Sequence, residues 1–229
     1  ILDIDSAYEC INEFKEPTCV IIKHNNPCGV ASHKNIINAF INALKTDSDS
    51  AFGGIIALNR NVDHKIAKKI TSNFFEIIIA PRFNNKAKLI LNKKKNLILI
   101  ETKKILETKK FDIKSINGGY LLQQKNTINF VKKDMRLVSS AKISDTIIKD
   151  LIFSFKVCKH VKSNAIVLVK NKKTIGIGAG QMSRIDATKI ALLKLSKKEK
   201  ETGFVTASDA FFPFTDNIKI LLKNNCVAI

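Results

Sequence analysis

The chain has no tryptophan, and its 229 residues include only two tyrosines, two methionines and four prolines. It also lacks any run of about eighteen apolar residues, the length a membrane-spanning helix needs, so no membrane span is expected. Cysteine occurs five times, at 10, 19, 28, 158 and 226, an odd number with no C-x-x-C pair. That pattern argues against a disulfide framework and against a zinc ribbon, leaving reduced thiols and a cytoplasmic setting as the expectation. Acidic residues are also in short supply, 20 against 39 basic ones, for a formal net charge of +19. Only four of the basic residues are arginine, so the bidentate contacts by which proteins read base edges are scarce.

What is present suits a folded core. The chain is 45% hydrophobic, enough for one large domain or two small ones. Lysines are spread along it, densest at Lys93–Lys95 and Lys197–Lys198 beside turn-like or helix-end sequence, which reads as solvated faces. A basic surface that draws small phosphorylated ligands is the functional counterpart of that reading. The opening mixes Asp3 and Asp5 with apolar residues and has no signal-peptide layout, so it reads as mid-protein sequence.

Short β-branched runs alternate with amphipathic segments. Cys19–Ile22, Ile55–Leu58, Ile77–Ile79 and Leu97–Ile100 read as strands, the third stopped by Pro81. Residues 33–45 read as a helix, and Asp63 as the cap of another through Ile66, Ala67 and Ile70. A polar connection follows at 126–144. Beyond it come a helix at 145–161 with Asp145 as N-cap, strands at 165–169 and 174–177, a helix at 183–196, a strand at 205–207, a helix at 218–222 and a last strand from Cys226. Such alternation implies an α/β sheet covered on both faces.

Four stretches look chemical rather than packed. Lys23-His24-Asn25-Asn26-Pro27-Cys28-Gly29 follows an apolar strand directly, where open α/β sheets place their crevices. Pro27 and Gly29 are expected to make a tight turn there. A histidine can accept a proton near neutral pH, and an adjacent lysine can steady developing negative charge. Asn164 offers both donor and acceptor beside another strand. Gly176–Gly180 leads into a helix at Arg184, an order suited to holding an anion. Phe211, Phe212 and Phe214 surround Pro213 beside Asp216, a rigid corner on which a flat heterocycle could stack.

In chain order, I-I-K-H-x-N-P-C-G-V-A, T-D-x-x-S-A-F-G-G-I-I-A, I-I-I-A-P, V-K-S-N-A-I-V, T-I-G-I-G-A-G-Q-M-S-R and A-S-D-A-F-F-P-F resemble the bifunctional AICAR transformylase/IMP cyclohydrolase family over nearly the whole chain. The resemblance implies an α/β fold of two related three-layer units, cytidine-deaminase-like and without the deaminase zinc, at 1–135 and 136–229, the second incomplete. It implies formyl transfer from 10-formyltetrahydrofolate, a co-substrate, to the 5-amino group of AICAR, with no catalytic metal. His24 then falls on the proton acceptor and Lys23 on the transition-state stabiliser. Gly53, Glu76, Asn164 and Arg184 fall on nucleotide positions, and Ile185, Phe211 and Asp216 on the folate side. A homodimer with no specific nucleic-acid partner is implied as well.

Some family features are not in this sequence: the cyclohydrolase domain, an R-Y-G-x-N-P-H-Q segment expected before residue 1, and a P-x-G-S turn with an R-H-F-x-H ending after residue 229. The expectation is an excised piece, truncated at both ends and weakly active or inactive. Two rivals remain. The +19 charge suggests a basic nucleic-acid-binding α/β module, which the scattered lysines disfavour. His24-x-x-Pro27-Cys28 suggests a zinc deaminase, which Asn26 and the missing C-x-x-C disfavour.

Overall fold

A computed structural model describes residues 1–102 and 111–229. Its elements run α1 (Leu2–Ile11), β1 (Thr18–Lys23), β2 (Asn26–Ser32), α2 (Ile36–Leu44), β3 (Gly54–Leu58), α3 (His64–Ile70), β4 (Phe75–Ala80), α4 (Asn85–Leu91) and β5 (Ile98–Glu101). A hairpin, β6 (Phe111–Ile116) and β7 (Gly119–Gln124), precedes a largely irregular connection. Then follow α5 (Asp145–Cys158), β8 (Ile166–Lys170), β9 (Lys173–Gly178), α6 (Arg184–Leu193), α7 (Lys197–Glu201), β10 (Phe204–Ser208), α8 (Asp216–Lys223) and β11 (Cys226–Ala228).

Nine strands form one mixed sheet in the order β11-β10-β8-β9-β2-β1-β3-β4-β5. Pairing senses repeat across its middle. β1 is antiparallel to β2 and to β3, and β3 is parallel to β4. Likewise β8 is antiparallel to β9 and to β10, and β10 is parallel to β11. Because β2 and β9 meet antiparallel, the β1–β2 and β8–β9 turns lie at opposite ends of the sheet.

Alternating side chains divide the core. Val20, Ile22, Val30, Val167, Val169 and Val205 point to the face covered by α1 and α5, one apolar layer running across both halves. On the other face Cys19, Ile21 and Ile78 pack under α2, α3 and α4, while Ile166, Leu168 and Ile175 pack under α6 and α8. The α/β expectation holds, with helices on both faces of a mixed sheet.

Several local readings need correction. The helix read at 145–161 is capped by Ser144, whose side chain accepts from the Ile147 amide, and Asp145 is its first residue. Pro27 and Gly29 form no turn; both lie in β2. A Cβ on Gly29 would sit 2.0 Å from the Ala43 carbonyl oxygen, so glycine is what lets α2 lie on the sheet. Gly176 and Gly178 are likewise strand residues beneath α6, where added Cβ atoms would sit 2.2 Å from Ala191 O and 1.9 Å from Ala187 O. The β6–β7 hairpin was not anticipated, although Asn117-Gly118 between apolar runs is a hairpin signal. Phe111, Ile113, Tyr120 and Leu122 share one face of it and are exposed.

Candidate functional site

The sheet is one continuous object only narrowly. β2 and β9 pair at Ala31 and Lys173, and beyond that point a side chain replaces the ladder. Thr174 Oγ1 lies 2.9 Å from the Val30 amide nitrogen and 3.0 Å from the Val30 carbonyl oxygen, while Thr46 donates to the Thr174 carbonyl at 2.6 Å. Farther along, the strands part. The gap is a cavity of about 210 Å³ lined by Lys23, His24, Asn26, Pro27 and Cys28 on one side and Ile177, Ala179 and Lys194 on the other. Asn26 closes its far rim by accepting from the Lys162 amide at 2.9 Å.

Two residues, His24 and Asn25, make the β1–β2 turn, with φ of 50° and 61°. Positive φ at both central positions matches the twist of a hairpin but is uncommon for a histidine. Asp3 holds the turn: its Oδ1 accepts from the Asn25 amide at 2.8 Å and its Oδ2 from the His24 amide at 3.2 Å. The imidazole itself is exposed at the tip.

Lys23 donates from Nζ to the Phe52 carbonyl at 2.9 Å. This places the ammonium over Gly53, where an added Cβ would lie 3.0 Å from Lys23 Nζ and 3.6 Å from Glu76 Oε1. Gly53 has φ +67°, a left-handed conformation natural to glycine. Lys23, Gly53 and Glu76 therefore converge.

Asn164 and Arg184 form a second group across the seam. Asn164 donates from Nδ2 to the carbonyls of Gln181 at 2.8 Å and Met182 at 3.2 Å, and its Oδ1 accepts nothing among the described residues. Arg184 is not a free cation: Nη1 pairs with Asp209 and donates to Ser208 Oγ at 2.9 Å. Asp209 also accepts from Ser163 and, at 3.0 Å, from the Ala165 amide. Burial pushes the Asp209 carboxyl up, but these hydrogen bonds and Arg184 outweigh it and hold the group below its ordinary range. Sequence reasoning missed this aspartate, which appears there only as the acidic residue within A-S-D-A-F-F-P-F.

Strand register puts all these positions at one end of the sheet, since Ile22 faces both Pro27 and Ile55 while Ile166 faces both Gly178 and Ser208. Phe211 and Phe214 are exposed there, Ile185 lies in the first turn of α6, and Asp216 opens α8. The cavity lining includes Lys23 and His24 but neither Asn164 nor Arg184. A larger cavity of about 690 Å³ lies between α1 and α5, where Glu13 meets Lys159 and His160. It takes in Ser32 and Lys172, at the end remote from His24, and none of the expected site residues.

Beside the gap, Asp47 pairs with Lys194 at 2.8 Å across the seam. Burial, then Asp47, push the Cys28 thiol up to about 12, the opposite of what a thiolate ligand or nucleophile needs. Among the described residues no three His, Cys, Asp or Glu side chains converge as a ligand set.

The model of the AICARFT/IMPCHase bienzyme family matches residues 1–194. The chain belongs to that family. It is 46% identical over 229 residues to the bifunctional purine biosynthesis protein PurH of a Thermoanaerobacter species, covering all of this chain and 44% of the relative. The proteins of the same name from Caldicellulosiruptor saccharolyticus and Caldicellulosiruptor bescii are 46% and 47% identical over 230 residues, with the same coverage. The chain thus spans less than half the length of these curated relatives.

Proposed function

We propose that this chain carries the formyl-transfer site of a purine-synthesis enzyme, taking AICAR and 10-formyltetrahydrofolate to FAICAR and tetrahydrofolate. The observation that carries the reading is that His24 and Lys23, consecutive residues where β1 ends, both line the gap where β2 and β9 part. The AICAR amine is a weak nucleophile because its lone pair delocalises into the ring. As its nitrogen attacks the formyl carbon, His24 takes the amine proton, directly or through the neighbouring carboxamide. Lys23 steadies the tetrahedral oxyanion and protonates the folate nitrogen as its bond to the formyl carbon breaks. Gly53, Glu76, Asn164 and Arg184 hold the nucleotide. Ile185, Phe211 and Asp216 hold the folate, with exposed Phe211 offering a stacking face.

The repeated pairing senses support two related three-layer units of cytidine-deaminase-like fold, about 1–135 and 136–229; residues 103–110 of the first lie outside the described residues. Both substrates are anionic, and the +19 charge favours their encounter in a cytoplasmic setting. The exposed apolar face of β6–β7 supports a homodimer.

Tetrahydrofolate release in the presence of AICAR tests the reaction, measured on this sequence within the longer protein expected to contain it. His24→Ala and Lys23→Ala should each lower the rate by roughly 10²-fold or more, with AICAR affinity followed separately by calorimetry. Unchanged rates in both variants would refute the assignment.

A further inference from the structure

The turn that presents His24 has a counterpart at the other end of the sheet. Asn171 and Lys172, with φ of 52° and 53°, make the two-residue β8–β9 turn. Their amides are both received by one aspartate of the helix packed alongside: Asp150 Oδ2 accepts from Asn171 at 2.7 Å and Oδ1 from Lys172 at 2.7 Å. Asp3 in α1 does the same for His24 and Asn25. One device therefore occurs twice, a helix carboxylate straddling two consecutive left-handed residues. In one half it secures a turn of Asn171 and Lys172; in the other it secures the imidazole.

The physics of the clasp is direct. A non-glycine residue in the left-handed region sits in a sparsely populated well; the hairpin ladder favours two in succession, and contacts to their amides hold that geometry against alternatives. A carboxylate that accepts two adjacent amides supplies charge-assisted bonds specific to that geometry. Without it, the β1–β2 tip has access to other turn conformations, in which the His24 side chain leaves the gap above Pro27 and Cys28. Among the described residues the hydrogen bonds of Asp3 go to the turn backbone and not to the imidazole, so its effect on chemistry passes through His24.

We infer that Asp3 is a positioning residue for His24, fixing the direction of the imidazole by clasping the turn backbone, and that Asp150 is its structural twin without a role at the site. This rests on the reading of His24 as proton acceptor. The turn geometry, however, can be tested apart from that reading.

The experiment compares Asp3→Ala, Asp3→Asn and Asp150→Ala in this chain by NMR. It reads amide hydrogen exchange at residues 24 and 25 and the AICAR-induced shift of the His24 ring signals. Asp3→Ala should speed exchange at both amides and weaken AICAR binding at the His24 ring by roughly tenfold, the loss of about one good hydrogen bond. Asp3→Asn keeps one acceptor oxygen and should fall between Asp3→Ala and the parent. Asp150→Ala should leave the His24 signals and affinity unchanged while speeding exchange at residues 171 and 172. The inference is overturned if Asp3→Ala matches the parent in exchange and ring response, or if Asp150→Ala disturbs His24 equally. If the parent ring ignores AICAR, the proposed function fails, and the exchange pattern alone decides the clasp; should Asp3→Ala not fold, Asp3→Asn carries the same comparison.

Discussion

The Thr174 hydroxyl bridges to the Val30 backbone across the seam between the two halves of the sheet. Thr174 Oγ1 is 2.9 Å from the Val30 amide nitrogen and 3.0 Å from its carbonyl oxygen, and both residues are fully buried. A side chain thus takes the place of a backbone partner at the point where β2 and β9 begin to separate. The separation makes the gap beneath His24.

Thr174→Val keeps the shape of this residue but removes the hydroxyl, leaving two buried backbone groups of Val30 without a partner. It should lower unfolding free energy by roughly 2–6 kcal/mol, because each such orphan costs about 1–3 kcal/mol. Thr174→Ser should lose much less. Urea denaturation of the two variants checks the order, and equal stabilities would show that the hydroxyl is not the joint.

Gly29→Ala and Gly178→Ala should each be severely destabilising, by roughly 3 kcal/mol or more, since the new methyl would press on a helix carbonyl that cannot swing away. Gly119→Ala is the comparison: nothing lies within 4 Å of its Cβ position, and its stability should stay near that of the parent. Thermal unfolding monitored by circular dichroism separates these outcomes.

Asp209 gives a signed pH dependence. Its folded carboxyl is held below the ordinary range near 3.9, so its contribution is present above that value and disappears as pH falls through the lower folded value. Stability of the parent should therefore decline on acidification below about pH 4. Asp209→Asn should be less stable at neutral pH and show a shallower acid decline. Parallel acid limbs in the two proteins would contradict the assigned role of the Arg184, Ser163 and Ala165 contacts.

Much of the sheet was legible because its strands are buried apolar runs rich in isoleucine; Cys19–Ile22, Ile55–Leu58 and Ile77–Ile79 are such runs and all lie in strands. The β2 strand hid behind Pro27. Proline inside a strand usually argues against one, but β2 borders the gap there and Pro27 stands at a register shift opposite Ile22, the edge-like setting in which proline is tolerated. The glycines of 176–180 mimicked a phosphate loop for a related reason: sequence shows small residues, while only packing reveals that α6 rests on two of them. Asp3, Asp150 and Asp209 were silent because a carboxylate that caps distant backbone leaves no periodic trace. Lys23 and His24 stood out in the sequence by their own chemistry, whereas Gly53 and Glu76 entered as candidates through family resemblance alone.

The most direct measurement is a crystal structure of this chain grown or soaked with AICAR. The account predicts the nucleotide at the His24 end of the sheet, its amine facing the imidazole and its remaining groups reaching toward Asn164 and Arg184 across the seam. AICAR bound instead in the Glu13–Lys159–His160 cavity between α1 and α5, with the β1–β2 tip empty, would contradict it.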